Sequence, residues 1–188
     1  MIENVTTALL KNARRFCRAT TRRFVRAQDG TAAIEFGLIA APFLALLFAI
    51  METALVFFAG QSLEAAVAAS SRLILTGQAQ NAGYSAANFK TQVCNQVVGL
   101  FDCSSKLYVN VKNFSNFASA STTPPYNNGQ FDSSKMQYAP GEPGDIVVVS
   151  LYYQWPIYVS LFSNNLANQG GSNRLLVATS SFRNEPYK

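Results

Sequence analysis

The chain has 188 residues, of which 49% are apolar, 12% aromatic and only 13% charged, with a formal net charge of +5. That size allows one ordinary domain, or a membrane anchor plus a small domain, and the composition argues against a disordered chain. Histidine is absent, which removes Ser-His, Cys-His and His-metal chemistry together, and three scattered cysteines are too few for a zinc or iron–sulfur site.

The charge is concentrated at the N-terminus. Residues 1–30 hold Lys11, Arg14, Arg15, Arg18, Arg22, Arg23 and Arg26 against Glu3 and Asp29, so this arm accounts for the whole net charge. Residues 31–188 balance eight basic groups against eight acidic ones. A basic arm can bind nucleic acid, or it can hold the cytoplasmic side of a membrane segment by the positive-inside rule.

The next segment decides for the membrane and against nucleic acid. Phe36–Gly60 reads FGLIAAPFLALLFAIMETALVFFAG, 25 residues with the single charge of Glu52. At about 1.5 Å per residue, such a helix is roughly 37 Å long and crosses a hydrocarbon core of about 30 Å with some tilt. Thirteen of these residues are Leu, Ile, Phe or Val. Together they contribute about −4 to −8 kcal/mol to insertion, against about +3 for one carboxylate, so insertion wins. The run is too long for a secretory signal, and no small-x-small cleavage site follows it. Pro42 lies near its start, where a membrane helix tolerates a kink. The simplest reading is an uncleaved anchor with its N-terminus inside and its C-terminus outside.

The junction of arm and span is more informative. It reads Arg26-Ala27-Gln28-Asp29-Gly30-Thr31-Ala32-Ala33-Ile34-Glu35-Phe36. A lone glutamate inside the edge of a span is expensive and needs a reason. Glu35 either snorkels to the headgroups or answers a charge. If the chain is cut after Gly30, the α-amine of Thr31 becomes that charge, and amine and carboxylate can neutralise each other between neighbouring subunits. Glycine suits a cut site because it lets a protease approach the backbone.

Gly30, four residues, then Glu35-Phe36 resembles the processing motif of type IV pilin-like proteins of the Tad/Flp class. The longer run GTAAIEFGLIAAPFLALLFAIMETALVFFAGQSLEAAVAASSR resembles the TadE-like domain: a basic leader, G-x-x-x-x-E-F, an early proline, a late glutamate, then an amphipathic Ala-rich helix. The tail Phe182-Arg183-Asn184-Glu185-Pro186-Tyr187 resembles the end of TadE-like minor pseudopilins. The resemblance covers about 45 residues plus this tail; residues 80–170 carry no comparable motif. It implies a minor pseudopilin of the tight-adherence pilus, in the bacterial inner membrane, with a cytoplasmic N-terminus and a periplasmic head. It implies cutting between Gly30 and Thr31 by a prepilin peptidase, a processing or assembly role for Glu35 and Phe36, and incorporation into an extracellular pilus. The implied partners are that peptidase, other pilins and pseudopilins, and the inner-membrane assembly platform. No cofactor is implied.

After the span the helix continues. Leu63, Ala66, Val67, Ser70, Leu73 and Ile74 share one face, and Gly77 is a C-terminal stop, so one long helix is expected over 32–76. Ser85–Gly99 reads as a second amphipathic helix through Phe89, Val93, Val97 and Val98. Strands follow. Lys106–Phe114 places Leu107, Val109 and Val111 on one face. Asp145–Trp155 is apolar enough to be a central strand buried on both sides. Arg174–Phe182 places Leu175, Val177 and Thr179 on one face. The intervening Ser115–Gly144 is rich in Asn, Ser, Pro and Gly, and thirty residues without regular structure form either a recognition element or a mobile excursion. The expected fold is α+β: a long N-terminal helix packed on a small antiparallel sheet in a single-pass membrane protein. The expected organisation is a leader over 1–30, a span over 31–60 and a head over 61–188.

Cys17 lies in the leader on the reducing side. Cys94 and Cys103 lie beyond the span on the oxidising side, nine positions apart, and are either partners or two separate thiols. A closed loop of about ten residues stabilises a fold by roughly 2–3 kcal/mol in the chain-entropy model. Glu52 marks a helix–helix contact with a partner subunit or is hydrated near the far interface. The tail seals the sheet edge or docks a partner. No catalytic constellation is visible: Ser62, Ser70 and Ser71 have no base, and Asp102, Asp132 and Asp145 have no ligand spacing. Two functions of different class therefore compete. One is a processed structural subunit of a Tad-type pilus, supporting assembly and surface adherence. The other is an uncleaved single-pass anchor with a ligand-binding or sensory head.

Overall fold

A computed structural model describes residues 30–97, 99, 101–157 and 173–187. The leader, with Cys17, and Val98 of the second helix lie outside the described residues. Contacts divide the chain into two units, 1–48 and 49–188.

Helix α1, Thr31–Leu75, has 45 residues and contains Pro42. In the first unit almost nothing of it is covered: Ile34, Phe36, Leu38, Ile39, Phe43 and Phe48 are all exposed. Among the described residues α1 is the one helix that is long and apolar enough to cross a membrane.

In the second unit α1 becomes one-sided. Glu52, Val56, Ala59, Leu63, Ala66, Val67, Ser70, Ser71 and Ile74 are buried, at the three- and four-residue steps of a single face. The face read from the sequence over 63–74 is this face, with Leu73 at its border, and it extends further back to Glu52. Gly77 ends the helix in the left-handed region at φ 74°, and its N–H donates to the Ile74 carbonyl at 3.0 Å.

A short helix α2, Gln78–Asn81, and α3, Ala86–Gln96, follow. Ser85 caps α3, its hydroxyl accepting from the Asn88 N–H at 3.2 Å. Phe89 and Val93 are the buried face of α3. A single turn α4, Cys103–Lys106, leads into the sheet. Strands β1 (Leu107–Phe114), β4 (Ile146–Pro156) and β5 (Asn173–Arg183) form an antiparallel sheet of order β1-β4-β5, with the two-residue strands β2 (Tyr126–Asn127) and β3 (Gln130–Phe131) in a separate hairpin. The α+β class and the central position of β4 are as the sequence predicts, and Ile146 to Tyr153 of β4 are buried without interruption.

The register sorts the side chains. Leu107, Tyr153 and Leu176 align across the sheet, as do Val109, Leu151 and Ala178. These belong to the core shared with Leu63, Ala66 and Val67 of α1. The phase of β5 differs from the sequence reading: Leu175, Val177 and Thr179 do share a face, but Leu176, Ala178 and Phe182 are the ones that pack on the core, and Val177 is exposed. In β5 the apolar run Leu175–Ala178 and the polar run Thr179–Ser181 each put residues on both faces, so hydrophobicity alone does not fix which face turns inward.

The Ser115–Gly144 excursion covers the opposite face of the sheet. Phe131 stacks between Tyr108 and Tyr152, ring centroids 5.2 and 5.1 Å away. Further along, the Val111 N–H donates to the Gln137 carbonyl at 2.8 Å and the Val111 carbonyl accepts from the Ala139 N–H at 2.9 Å. Asn110, buried, accepts from the Gln137 N–H at 3.0 Å. The excursion is thus fastened to β1 and β4 at several points.

Candidate functional site

The candidate processing residues lie in the first unit. Gly30 occupies one residue of 3₁₀ structure directly before α1, and Gly30, Thr31, Glu35 and Phe36 are all exposed. Phe36 is 75% exposed. Nothing lies within 4 Å of the position a Cβ on Gly30 would occupy, so packing does not require glycine here. Glu35 follows the Gly30–Thr31 bond by little more than one helical turn. The stretch therefore presents an accessible peptide bond, a helix that starts on its C-terminal side, and a carboxylate one turn further on.

Glu52 lies in the second unit and is only 6% exposed. It sits one turn before Val56 on the face of α1 that the head covers. Burial inside its own chain is a situation neither sequence reading of Glu52 described. The missed signal was the four- and three-residue steps Glu52, Val56, Ala59, Leu63, which continue the amphipathic face into the apolar run.

Cys94 and Cys103 are bonded to each other, with Cα atoms 5.8 Å apart. The bond joins the last turn of α3 to the start of α4. Above it, Phe101 packs edge-on against Tyr153 at 4.7 Å, and the Tyr153 hydroxyl accepts from the Asp102 N–H at 3.1 Å. The side chain of Asp102 caps α4. Hydrogen bonds from the hydroxyls of Ser105 and Ser104, with the Ser105 N–H, hold its carboxyl below the usual carboxylate range.

The tail is built into the head. Asn184 is 3% exposed, and its side-chain amide donates to the Pro140 carbonyl at 2.9 Å and the Glu142 carbonyl at 3.1 Å. The Glu185 N–H donates to the Leu75 carbonyl at 2.9 Å, closing an open end of α1. The Tyr187 ring rests on Gly77. Partial burial, with Asp145 and Glu142 nearby, raises the pKa of the Tyr187 phenol. The tail therefore closes the end of the head. Among the described residues no group of three Cys, Asp or Glu side chains could hold a metal ion.

The comparison with known families falls on α1. Residues 30–72 match the family model described as TadE-like protein. The chain carries a TadE-like segment. This segment begins at Gly30 itself and ends three residues before the end of α1. It thus spans the exposed apolar stretch and most of the amphipathic face, while the sheet lies outside it. The TadE-like match ties the chain to the proteins of the Tad pilus. No curated protein and no solved structure matches the chain.

Proposed function

We propose that this chain is a minor pseudopilin of a Tad/Flp pilus, cut between Gly30 and Thr31 by a prepilin peptidase and contributing to pilus assembly and surface adherence. The observation that carries this reading is the TadE-like match starting at Gly30, on a chain whose helix starts at the next residue. The exposure of Gly30 and Thr31 supports it, because a protease needs an accessible backbone.

In this reading residues 1–30 are a cytoplasmic leader, 31–60 the span and 61–188 a periplasmic head. The buried stripe beginning at Glu52 means that one side of the last part of the span already serves the head. The basic leader keeps the N-terminus in the cytoplasm. Glu35 and Phe36 form the processing and assembly motif, with Glu35 answering the new α-amine of a neighbouring subunit. The exposed apolar surface from Ile34 to Met51 stays in lipid until the helices of other pilins and pseudopilins replace it at the assembly platform. The oxidising side of the membrane suits the Cys94–Cys103 bond.

The test is co-expression of the full chain with a prepilin peptidase, followed by intact mass. Loss of residues 1–30 with Thr31 as the new terminus is the expected result. A bulky residue at Gly30 is expected to block the cut, and Glu35→Ala to impair cutting or assembly. A chain that stays full-length beside an active peptidase would overturn the assignment in favour of an uncleaved anchor.

A further inference from the structure

The Ser115–Gly144 cover carries a residue pair that occurs once in the chain, Asn128-Gly129. It forms the two-residue loop between β2 and β3, in which Tyr126 pairs with Phe131 and Asn127 with Gln130. Asn128 has φ 50° and Gly129 φ 77°, so the loop is a type I′ turn. Both residues are exposed, and nothing lies within 4 Å of where a Cβ on Gly129 would stand. Other asparagines of the head are placed differently. The side chains of Asn110, Asn116 and Asn184 are tied to backbone groups, and the residues that follow them are Val111, Phe117 and Glu185.

An asparagine before a glycine is open to attack by its own chain. The Gly129 amide nitrogen bonds to the side-chain carbonyl carbon of Asn128, the bond from that carbon to the side-chain nitrogen breaks, and ammonia leaves with the Gly129 amide proton. The five-membered imide then takes up one water, which opens it at either carbonyl. Opening on one side leaves aspartate at 128. Opening on the other routes the main chain through the former side chain, as isoaspartate. Water is the only co-reactant, and nothing is oxidised or reduced. A side chain at 129 would obstruct the attacking nitrogen, and glycine has none.

The turn guards this chemistry. In a type I′ turn the first loop residue has ψ of about +30°, which sets the next nitrogen on the far side of the Cα–C bond from Cβ. Ring closure needs both on the same side, and that rotation breaks the pairing of Asn127 with Gln130. Little holds the pairing: two residue pairs, the Asp132 N–H on the Pro125 carbonyl at 2.9 Å, and the Phe131 ring between Tyr108 and Tyr152. A hairpin this short is not stable alone, so the seat of Phe131 on the sheet governs its opening. We propose that Asn128-Gly129 is a self-modification site gated by Phe131. Each unseating of the ring admits imide formation, and isoaspartate, once formed, keeps the hairpin from closing. It adds one carbon to the main chain of a two-residue loop, and that loop no longer fits the β2–β3 register. Phe131 then leaves Tyr152, which is 1% exposed in the closed head. The bonds of Val111 and Asn110 to Gln137 and Ala139 stay, so release is confined to the hairpin. The change is one-way, a covalent record that the cover has opened.

The full chain in detergent micelles is aged at neutral pH, and peptide mapping follows replacement of the Asn128 amide by a carboxyl. Enzymatic carboxyl methylation reads isoaspartate. The same chain aged in denaturant gives the ungated rate. The native chain should convert at Asn128 ahead of Asn110, Asn116 and Asn184, several-fold more slowly than the ungated rate, and Phe131→Ala should bring it most of the way back. Ion exchange then isolates the isoaspartyl form of the native chain, which carries one more negative charge. Amide exchange on that form should be fast at Phe131 and Asp132 and remain slow in β4. This readout needs no variant, so a poorly folding Phe131→Ala cannot obscure it. An Asn128 that stays intact in the native chain, or that converts there at the ungated rate, would overturn the proposal. Equal rates in the native and Phe131→Ala chains would overturn the gate, and slow exchange at Asp132 in the isoaspartyl form would overturn the release.

Discussion

Tyr187 lies against Gly77 so closely that a Cβ on Gly77 would collide with the Cγ end of the phenol ring. The residue that stops α1 is thus also the seat for the end of the chain, 110 positions later in the sequence. Between them, Glu185 caps the Leu75 carbonyl and Asn184 ties down the turn at Pro140–Glu142.

Gly77→Ala therefore meets two costs. The backbone at φ 74° disfavours any side chain by about 1–2 kcal/mol, and the methyl group also displaces the ring. Tyr187→Ala in the same chain removes the second cost and leaves the first. Thermal unfolding of the full chain in detergent should show Gly77→Ala and Tyr187→Ala to be less than additive. Additive losses would mean that ring and glycine do not share the space.

Reduction of the Cys94–Cys103 bond opens a short loop between α3 and α4. The chain-entropy model gives a loss of about 2–3 kcal/mol for a loop of this size. Cys94→Ser with Cys103→Ser should lower the midpoint of denaturant unfolding, with a slope equal to or slightly above that of the bonded chain, because the unfolded state loses a constraint. The Phe101–Tyr153 contact sits beside the bond, so Tyr153→Phe, which loses the acceptor for the Asp102 N–H, should be worse in the reduced variant than in the bonded one.

Much of this was legible in the sequence because period and composition carry it. The apolar run, the face from Leu63 to Ile74, the stop at Gly77 and the core strand β4 follow from spacing and burial. The phase of β5 was not legible, since Ala178, Thr179, Ser180 and Ser181 are all small and differ little in transfer energy. Two further features were present as signals. Asn128-Gly129 is a turn of the kind that joins hairpin strands; both residues have positive φ, and they connect β2 to β3. That hairpin delivers Phe131 to the sheet, so the excursion is a cover and not a bare loop. The steps from Glu52 to Leu63 marked where the head begins to claim α1. The residues of the candidate processing site, Gly30, Glu35 and Phe36, lie within seven positions of one another and need no fold to bring them together. The tail was not, because Asn184 and Tyr187 acquire their roles only from residues around 77 and 140.

Phe131 is the anchor of the excursion over the outer face of the sheet. Phe131→Ala should cost about 2–4 kcal/mol, near the low end of buried phenylalanine truncations because the side chain is only partly buried. Protease cleavage within 115–144 should accelerate while cleavage of β4 does not, since the Val111 and Asn110 bonds to Gln137 remain. An unchanged cleavage rate in 115–144 would mean that Phe131 does not hold the cover.

Alkaline titration should single out Tyr138. Its hydroxyl is buried without a partner beside Phe89, and desolvation, helped by the nearby Tyr84 phenol, raises its pKa from the usual 10 to about 12. The unfolded chain ionises this phenol near 10, while the folded one keeps it neutral. The associated stability is therefore fully present below pH 10 and is lost as pH rises from 10 to about 12. Asp102 and Asp132 act at the other end of the scale. Serine hydroxyls and backbone N–H groups lower both carboxyls below 3.8, so their contribution is present above that value and is lost as pH falls through the depressed range. Tyr138→Phe keeps the packing on Phe89 and removes the ionising group. Its unfolding midpoint should equal that of the native chain at neutral pH or exceed it, and should fall less steeply between pH 10 and 12. Parallel decline of the two proteins over that interval would assign the alkaline loss to other groups.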